Sequence, residues 1–102
     1  MDYELRIIPD CPNSAAALEL FRKALSSEEI AADVRVLELV SEEQAQALDF
    51  HGSPSFIAGG RDLFPSPASP ALTCRVYPSE TGLTGLPARE DIRVALRSTL
   101  GL

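Results

Sequence analysis

The amino-acid sequence predicts a single α/β domain over residues 1–102, in which a mixed four-stranded sheet carries helices on both faces. Extended and helical segments alternate through the first half of the chain, and this alternation favours parallel strands joined by right-handed crossovers. The Gly59-Gly60 pair between two short extended runs is typical of a hairpin, which adds antiparallel strands. A chain of 102 residues, 45% of them hydrophobic, suits one core. The predicted order is β-α-β-α-β-β-α.

The first half is predicted to contain two strands, each followed by a helix. Alternating and β-branched apolar residues indicate the strands, whereas Leu18, Phe21 and Leu25 recur at helical spacing. Ser41 followed by Gln44 is typical of the capping box that opens a helix. The predicted segments are a strand at Tyr3–Pro9, a helix at Ser14–Ser27, a strand at Asp33–Val40 and a helix from Ser41 to Gly52.

The second half is predicted to contain a hairpin, a loop and a last helix. The hairpin strands are Ser55–Ala58 and Arg61–Phe64, although Leu72–Tyr77 also has an extended pattern and is an alternative fourth strand. The prolines between them cannot donate backbone hydrogen bonds and predict a surface loop. The remaining signals are breaks at Gly82 and Gly85, a helix start at Pro87, a buried helix face of Ile92, Leu96 and Leu100, and a helix end at Gly101.

Charge and hydropathy exclude several classes of partner. The formal net charge of -6 disfavours nucleic acid and anionic membranes, because both bind clusters of Lys and Arg. No run approaches the roughly 20 apolar residues that span a bilayer. The first ten residues include Asp2, Glu4, Arg6 and Asp10 and so lack the apolar core of a signal peptide. We therefore expect a cytoplasmic protein, in which a cysteine is more often reactive or metal-binding than structural.

Cys11 lies between the first predicted strand and the first predicted helix. Pro12 suits the first helical turn, and Asn13 or Ser14 is able to cap free backbone amides with a side-chain oxygen. The unpaired amides and the dipole of a helix N-terminus favour an anion, so a thiol at this position is favoured as the nucleophilic thiolate. The alternative is that Cys11 acts only as a small buried apolar residue.

Cys74 is the second cysteine of the chain. A disulfide between Cys74 and Cys11 requires their Cα atoms to be about 4.4 to 6.8 Å apart. The sequence alone does not determine this distance. A reducing cytosol argues against a permanent bond of this kind.

Other polar residues near these motifs have two interpretations each. His51, the only histidine, is a base for Cys11 or, as we favour, a helix-end residue that contacts the last carbonyls. Arg61 and Asp62 are interpreted as a solvated loop pair, with orientation of Cys74 as the alternative. Arg75 either favours a nearby thiolate or is a solvated strand residue.

The Cys11-Pro12-Asn13-Ser14 and Gly52-Ser53-Pro54 motifs resemble those of the thioredoxin superfamily, and the resemblance extends along nearly the whole chain. It implies a thioredoxin-like fold in which a cis Pro54 faces Cys11 and the backbone of Ser53 pairs with a substrate peptide. Ser14 stands where redox members usually have a second cysteine, a pattern similar to monothiol glutaredoxins, whose mixed disulfides are resolved by an external thiol such as glutathione. The implied catalytic residues are Cys11, Cys74 and Ser14, and the implied substrate-binding residues are Pro12, Asn13, Ser53 and Pro54.

A closer resemblance is to short thioredoxin-like proteins often labelled alkylmercury lyase. The four motifs of that group are all present, as Cys11-Pro12-Asn13, Gly52-Ser53-Pro54, Gly60-Arg61-Asp62 and Cys74-Arg75-Val76-Tyr77. The resemblance implies that Cys11 and Cys74 are ligands for mercury or another soft metal ion. Ser14 occupies the position of the lyase's proton-donating aspartate, and a serine cannot deliver an acid proton.

Three hypotheses about function follow. The first is thiol-disulfide chemistry, in which Cys11 attacks a thiol- or disulfide-bearing small molecule or protein and Cys74 or a small thiol resolves the adduct. The second is binding of a soft metal ion by the two cysteines. The third is a non-catalytic module that binds a partner along the Ser53-Pro54 edge. No cofactor and no resident metal are expected.

Overall fold

Strands and helices alternate through residues 1–79 and 82–100, which are the parts of the chain that this computed structural model describes. Within them the chain forms six strands and three helices. Their bounds are β1 Tyr3–Ile7, α1 Ser14–Ser27, β2 Val34–Glu38, α2 Glu42–Ala47, β3 Ser55–Ala58, β4 Arg61–Asp62, β5 Tyr77–Ser79, β6 Gly82–Thr84 and α3 Arg89–Leu100. The predicted helix end at Gly101 lies outside the described residues.

The main sheet has four strands in the order β2-β1-β3-β4. β1 and β2 are parallel, as the crossover through α1 requires, whereas β3 runs antiparallel to both β1 and β4. Gly59 and Gly60 connect β3 to β4 with φ values of 59° and 79°, the positive angles that a tight hairpin turn demands. The predicted mixed four-stranded sheet and its hairpin are therefore confirmed.

The chain after the hairpin differs from the prediction. Leu72–Tyr77 does not form a strand of the main sheet, because before Tyr77 its only β-pairing in the described residues is a parallel bridge from Cys74 to Ser53. Tyr77–Ser79 instead pairs with Gly82–Thr84 in a separate two-stranded sheet. The predicted break at Gly82 is therefore wrong, since this glycine begins β6.

The loops that follow α1 and α2 begin with the same kind of turn. α1 spans Ser14–Ser27 as predicted, and α2 ends at Ala47, well before the predicted end at Gly52. Glu29 and Asp49 follow the two helix ends in a left-handed conformation, with φ values of 58° and 54°. The next amide in each case donates to a carbonyl five residues back, which is the Schellman pattern of a helix end.

The larger of two hydrophobic clusters fills the space between the sheet and helices α1 and α3. Leu5 of β1, Phe21 of α1, Phe56 of β3 and Leu96 of α3 are all fully buried within it. The rings of Phe21 and Phe56 meet edge to face with their centres 5.3 Å apart. Burial of the residues predicted for the inner faces of α1 and α3 is thus confirmed for Phe21, Leu25, Ile92 and Leu96.

The opposite face of the sheet carries α2 and a group of charged side chains. Ala45 of α2 packs with Leu39 and Phe50 in the smaller cluster, so helices cover both faces as predicted. Beside it, Glu4 is buried and accepts hydrogen bonds from Arg6 on the same strand and from Arg35 at the paired position of β2. Burial raises the pKa of Glu4, but the hydrogen bonds from the two guanidinium groups outweigh it, so the pKa is lowered overall.

No helix within residues 1–79 and 82–100 combines the length and the apolar character that crossing a membrane requires.

A cluster of ion pairs connects the end of α1 to α3. Glu28 follows the last residue of α1, and its carboxylate accepts hydrogen bonds from Arg97 at 2.5 and 3.0 Å and from Arg93 at 2.8 Å. The hydrogen bonds from Arg97 and then from Arg93 lower the pKa of Glu28 from 4.5 to about 2. The charge of Glu28 thus stabilises the contact between the two helices on the larger cluster.

We expect E28Q to lower the free energy of unfolding at neutral pH and to reduce its dependence on pH. Glu28 takes up a proton near pH 4.5 in the unfolded chain but only near pH 2 in the folded chain, so its contribution is present above 4.5 and is lost as pH falls towards 2. Urea unfolding at several pH values measures this. E90Q is the control, because the Glu90 side chain is 62% exposed and bonds to Arg93 alone. Identical pH profiles for wild type and E28Q would contradict this role of Glu28.

Candidate functional site

Cys11 lies in the loop that leads from β1 into α1. A turn at Pro9 and Asp10, in which Asp10 has a φ of 58°, brings the Cys11 amide to within 3.3 Å of the Ile8 carbonyl, to which it donates. The Cys11 carbonyl accepts from the Ser14 amide at 3.3 Å and from the Ser14 hydroxyl at 3.1 Å. Cys11 is only 9% exposed, yet it belongs to neither hydrophobic cluster.

The start of α1 differs from the prediction in detail. Pro12 precedes the helix instead of lying in its first turn, and Asn13 is the N-cap without a side-chain hydrogen bond to the helix amides. Ser14 does not cap either, because its hydroxyl donates to Cys11. The Asn13 carboxamide packs against Gly85 so closely that a Cβ atom there would collide with it. Among the described residues no side chain accepts from the first-turn amides, so the N-terminal end of α1, which follows the loop of Cys11, has no side-chain cap.

The peptide bond between Ser53 and Pro54 is cis, as the resemblance implied. It lies immediately before β3, and both residues are almost completely buried. The hydroxyl group of Tyr77 donates to the Pro54 carbonyl, and burial raises the pKa of Tyr77 well above its ordinary value, so this hydroxyl stays protonated as a donor.

Ser53 is bonded to both segments that carry a cysteine. Its hydroxyl oxygen accepts from the Ile8 amide at 3.2 Å, in the loop that holds Cys11. Its backbone amide donates to the Thr73 carbonyl at 2.8 Å, and its carbonyl accepts from the Arg75 amide at 2.9 Å. Cys74 is thereby the direct parallel bridge partner of Ser53. Two cysteines far apart in sequence are thus attached, through short hydrogen-bonded segments, to one buried residue.

The same bonds occupy the edge that was predicted to pair with a substrate peptide. A peptide that extends a sheet needs free backbone amides and carbonyls on the strand it joins. At Ser53 both groups are already bonded to the chain's own Thr73 and Arg75. The segment Thr73–Arg75 therefore fills the place that the resemblance assigns to a substrate.

Cys74 is exposed, whereas the neighbouring side chain of Arg75 turns inward and is 9% exposed. The Arg75 guanidinium donates to Asp62 Oδ2 at 2.7 Å, to Ser55 Oγ at 3.3 Å and to the Phe64 carbonyl. It also lies over the Tyr77 ring, with Cζ 4.9 Å from the ring centre. The interpretation of Arg75 as a solvated strand residue is therefore wrong.

Asp62 is likewise not the solvated loop residue that the sequence indicated. Its side chain is 14% exposed, and besides Arg75 it accepts the Phe64 amide at 2.8 Å. The ion pair of Asp62 with Arg75 joins the β3–β4 hairpin to the segment that carries Cys74, whereas Arg61 is exposed as the sequence indicated. Sequence analysis missed the pairing of Asp62 with Arg75. The only signal for it in the sequence is the opposite charge of Asp62 in the G-R-D motif and Arg75 in the C-R-x-Y motif.

Within residues 1–79 and 82–100, His51 forms a hydrogen bond neither with Cys11 nor with the carbonyls at the end of α2. Its Nε2 atom lies 3.2 Å from Asp49 Oδ1, and its side chain is 7% exposed. The Nδ1 atom is buried and has no hydrogen-bond partner among the residues that the structure describes. Neither interpretation of His51 from the sequence describes this arrangement.

The described part of the chain contains no group of three or more His, Cys, Asp or Glu side chains arranged to hold a metal ion. Both cysteines are free thiols.

Comparison of the chain with family models, with curated proteins and with solved structures finds no match.

We expect G52A to destabilise the protein through the segment that carries Cys74. Gly52 has a φ of 120°, and a Cβ atom there would approach the Arg75 Cβ to 2.8 Å. The steric conflict should reduce the free energy of unfolding by about 1–3 kcal/mol beyond the cost of backbone strain alone. G60A is the matched control, because Gly60 also has a positive φ but open space around it. Equal unfolding free energies for the two variants would contradict close packing of Gly52 on Arg75.

Proposed function

We propose that this chain is a thioredoxin-like thiol protein that carries out thiol-disulfide exchange with small molecules, and that Cys11 and Cys74 act as a pair. The observation that carries the proposal is the hydrogen bonding of Ser53 to both cysteine-bearing segments. A single buried residue that is hydrogen-bonded to both cysteine-bearing segments is a means of holding the two thiols for a joint reaction.

The order and direction of the elements support the thioredoxin-like part of this proposal. β1, α1 and β2 form a parallel crossover unit, β3 and β4 follow as an antiparallel hairpin, and the cis bond precedes β3. Cys11 precedes α1 on the loop that is hydrogen-bonded to Ser53, next to Pro54. The crossover unit and the hairpin were predicted from sequence patterns, and the cis bond was implied by the resemblance.

Exposure indicates which sulfur reacts first. A disulfide in solution reaches the exposed Cys74, whereas Cys11 is 9% exposed. The sequence alone favoured Cys11 as the attacking thiol, and the structure supports the opposite order. Cys11 then acts second, from its place in the loop immediately before α1.

The proposed reaction has two exchange steps. The Cys74 thiolate attacks one sulfur of the substrate disulfide, forms a mixed disulfide and releases the other half of the substrate as a thiolate. The Cys11 thiolate then attacks the Cys74 sulfur and releases the second half. The substrate disulfide gains two electrons and becomes two thiols, while the protein loses two electrons and keeps a Cys11–Cys74 disulfide. An external thiol returns the protein to its dithiol form.

The occupied edge at Ser53 supports small disulfides as substrates rather than extended peptides. Both backbone groups of Ser53 are bonded to Thr73 and Arg75, so no backbone pairing remains there for a polypeptide. The same observation disfavours a non-catalytic module that binds a partner along the Ser53-Pro54 edge.

Ser14 contributes by donating a hydrogen bond to the Cys11 carbonyl, and Pro12 and Asn13 form the rest of the loop before α1.

The test is reaction of the reduced protein with bis(2-hydroxyethyl) disulfide, followed by mass spectrometry of the alkylated chain. We expect wild type to end as an intramolecular disulfide, with both cysteines protected from alkylation. C11S should stop at a mixed disulfide on Cys74, and C74S should react more slowly because Cys11 is nearly buried. In urea the two single variants should react at similar rates, which provides the control for accessibility.

Two outcomes would contradict the proposal in different ways. Accumulation of wild type modified at both cysteines, without an intramolecular bond, would show that the thiols do not act as a pair. A C74S variant that reacts as quickly as C11S in the folded state would overturn the order of attack.

Binding of a soft metal ion is a second candidate, because two free thiols connected through Ser53 also form a set of soft ligands. We expect wild type to bind one Cu(I) or Hg(II) ion per chain in competition with a chelator, and C11S and C74S each to bind more weakly. Affinity that is unchanged in C74S would exclude a site shared by the two cysteines.

A further inference from the structure

The ring of Tyr77 is held in one place at the start of β5, on the segment that carries Cys74. Tyr77 is 2% exposed, and the Phe64 ring meets it edge to face with the two ring centres 5.2 Å apart. The Arg75 guanidinium lies over the same ring. The hydroxyl of a ring fixed in this way has a defined position, from which it donates to the Pro54 carbonyl.

The Pro54 carbonyl depends on this donor. Pro54 is fully buried, and within residues 1–79 and 82–100 its carbonyl oxygen accepts a hydrogen bond from Tyr77 alone. A buried carbonyl that loses its donor costs free energy comparable to a lost hydrogen bond. Burial of Pro54 therefore favours every arrangement of the chain that keeps the Tyr77 hydroxyl in place.

The bond from Tyr77 is a third connection between Ser53-Pro54 and the segment around Cys74. The other two are backbone bonds, from the Ser53 amide to the Thr73 carbonyl and from the Arg75 amide to the Ser53 carbonyl. In the described part of the chain these two form an isolated bridge that is not part of a longer ladder. Two bonds to a single residue allow a short segment to pivot about that residue, whereas a third bond to Pro54 fixes its direction.

The side chain of Arg75 does not provide the same constraint. It bonds to Asp62, to Ser55 and to the Phe64 carbonyl, which belong to the β3–β4 hairpin and to the residues just after it. Tyr77 bonds instead to the residue next to Ser53, whose hydroxyl accepts from the loop that carries Cys11. Tyr77 is thus the side chain that orients the Cys74 segment relative to the Cys11 loop.

We propose that Tyr77 is a positioning residue for the second exchange step, in which the Cys11 sulfur bonds to the Cys74 sulfur and the second half of the substrate leaves as a thiolate. This inference rests on the proposed thiol-disulfide function. The rate of an attack within one chain depends steeply on how the two reacting atoms are held. The first step does not depend on Tyr77, because a disulfide in solution reaches the exposed Cys74 directly.

The first test measures the two steps separately in Y77F, which keeps the ring and removes only the hydroxyl donor. The reduced protein is mixed with bis(2-hydroxyethyl) disulfide, quenched with acid at intervals and analysed by mass spectrometry. Decay of the mixed disulfide gives the rate of the second step, and C11S with and without Y77F gives the rate of the first. Y3F is the matched control, because Tyr3 is also buried against a phenylalanine ring but its hydroxyl has no hydrogen bond to the described residues.

We expect the mixed disulfide to decay at least about fivefold more slowly in Y77F than in wild type, with Y3F like wild type and the first step unchanged. Decay in Y77F as fast as in wild type would overturn the positioning role and leave the proposed function intact. Equal slowing of both steps in Y77F would overturn it as well. A wild type that forms no intramolecular disulfide contradicts the proposed function itself, so the two failures are distinguished.

Amide hydrogen exchange followed by NMR tests the same connection without any reaction of the cysteines. The amides to watch are those of Ser53 and Arg75, which form the isolated bridge. We expect both to exchange faster in Y77F than in Y3F, by a larger factor than the amides of β1, because the bridge would open locally while the sheet stays folded. Exchange of Ser53 and Arg75 that is the same in Y77F and Y3F, or that changes only in step with β1, would overturn the inference.

Discussion

The hydrogen bonds of Ser53 are the interaction on which the candidate site depends. Ser53 is 1% exposed, so its amide, carbonyl and hydroxyl must all find partners within the protein. They find them in the Ile8 amide on one side and in Thr73 and Arg75 on the other. One buried residue therefore fixes the loop before α1 and the segment around Cys74 relative to each other, without any covalent bond between them.

The segment around Cys74 is held by charge as well as by backbone pairing. Along an extended chain successive side chains point to opposite sides, so an inward Arg75 leaves Cys74 exposed. Arg75 is largely buried, and Asp62 supplies the compensating charge that a buried guanidinium requires. Gly52 allows the backbone of Arg75 to approach closely, because any side chain at Gly52 would meet the Arg75 Cβ. The exposure of Cys74 is thus a consequence of the burial of Arg75.

Local patterns predicted the parts of the fold that depend on neighbours in sequence. The apolar spacing of α1, the Ser41–Gln44 cap of α2 and the Gly59-Gly60 turn are all confirmed. The partner of Leu72–Tyr77 could not be predicted, because an extended pattern does not specify which backbone it pairs with. The Asp62–Arg75 pair was missed for the same reason, since opposite charges distant in sequence indicate a contact only once the hairpin has placed them together.

The positive charges of this chain are few, and several of them connect different elements of the fold. The chain has nine Lys and Arg residues and fifteen Asp and Glu residues, so carboxylates are available to pair with every cation. Within residues 1–79 and 82–100, most cations have such a partner, as Arg35 does with Glu4 and Arg97 with Glu28. Arg22, Arg61 and Arg89 lack one within the same residues, and all three are exposed. Positive charge in this protein therefore serves mainly to join elements of the fold, as the pairing of Arg97 with Glu28 joins α3 to the end of α1.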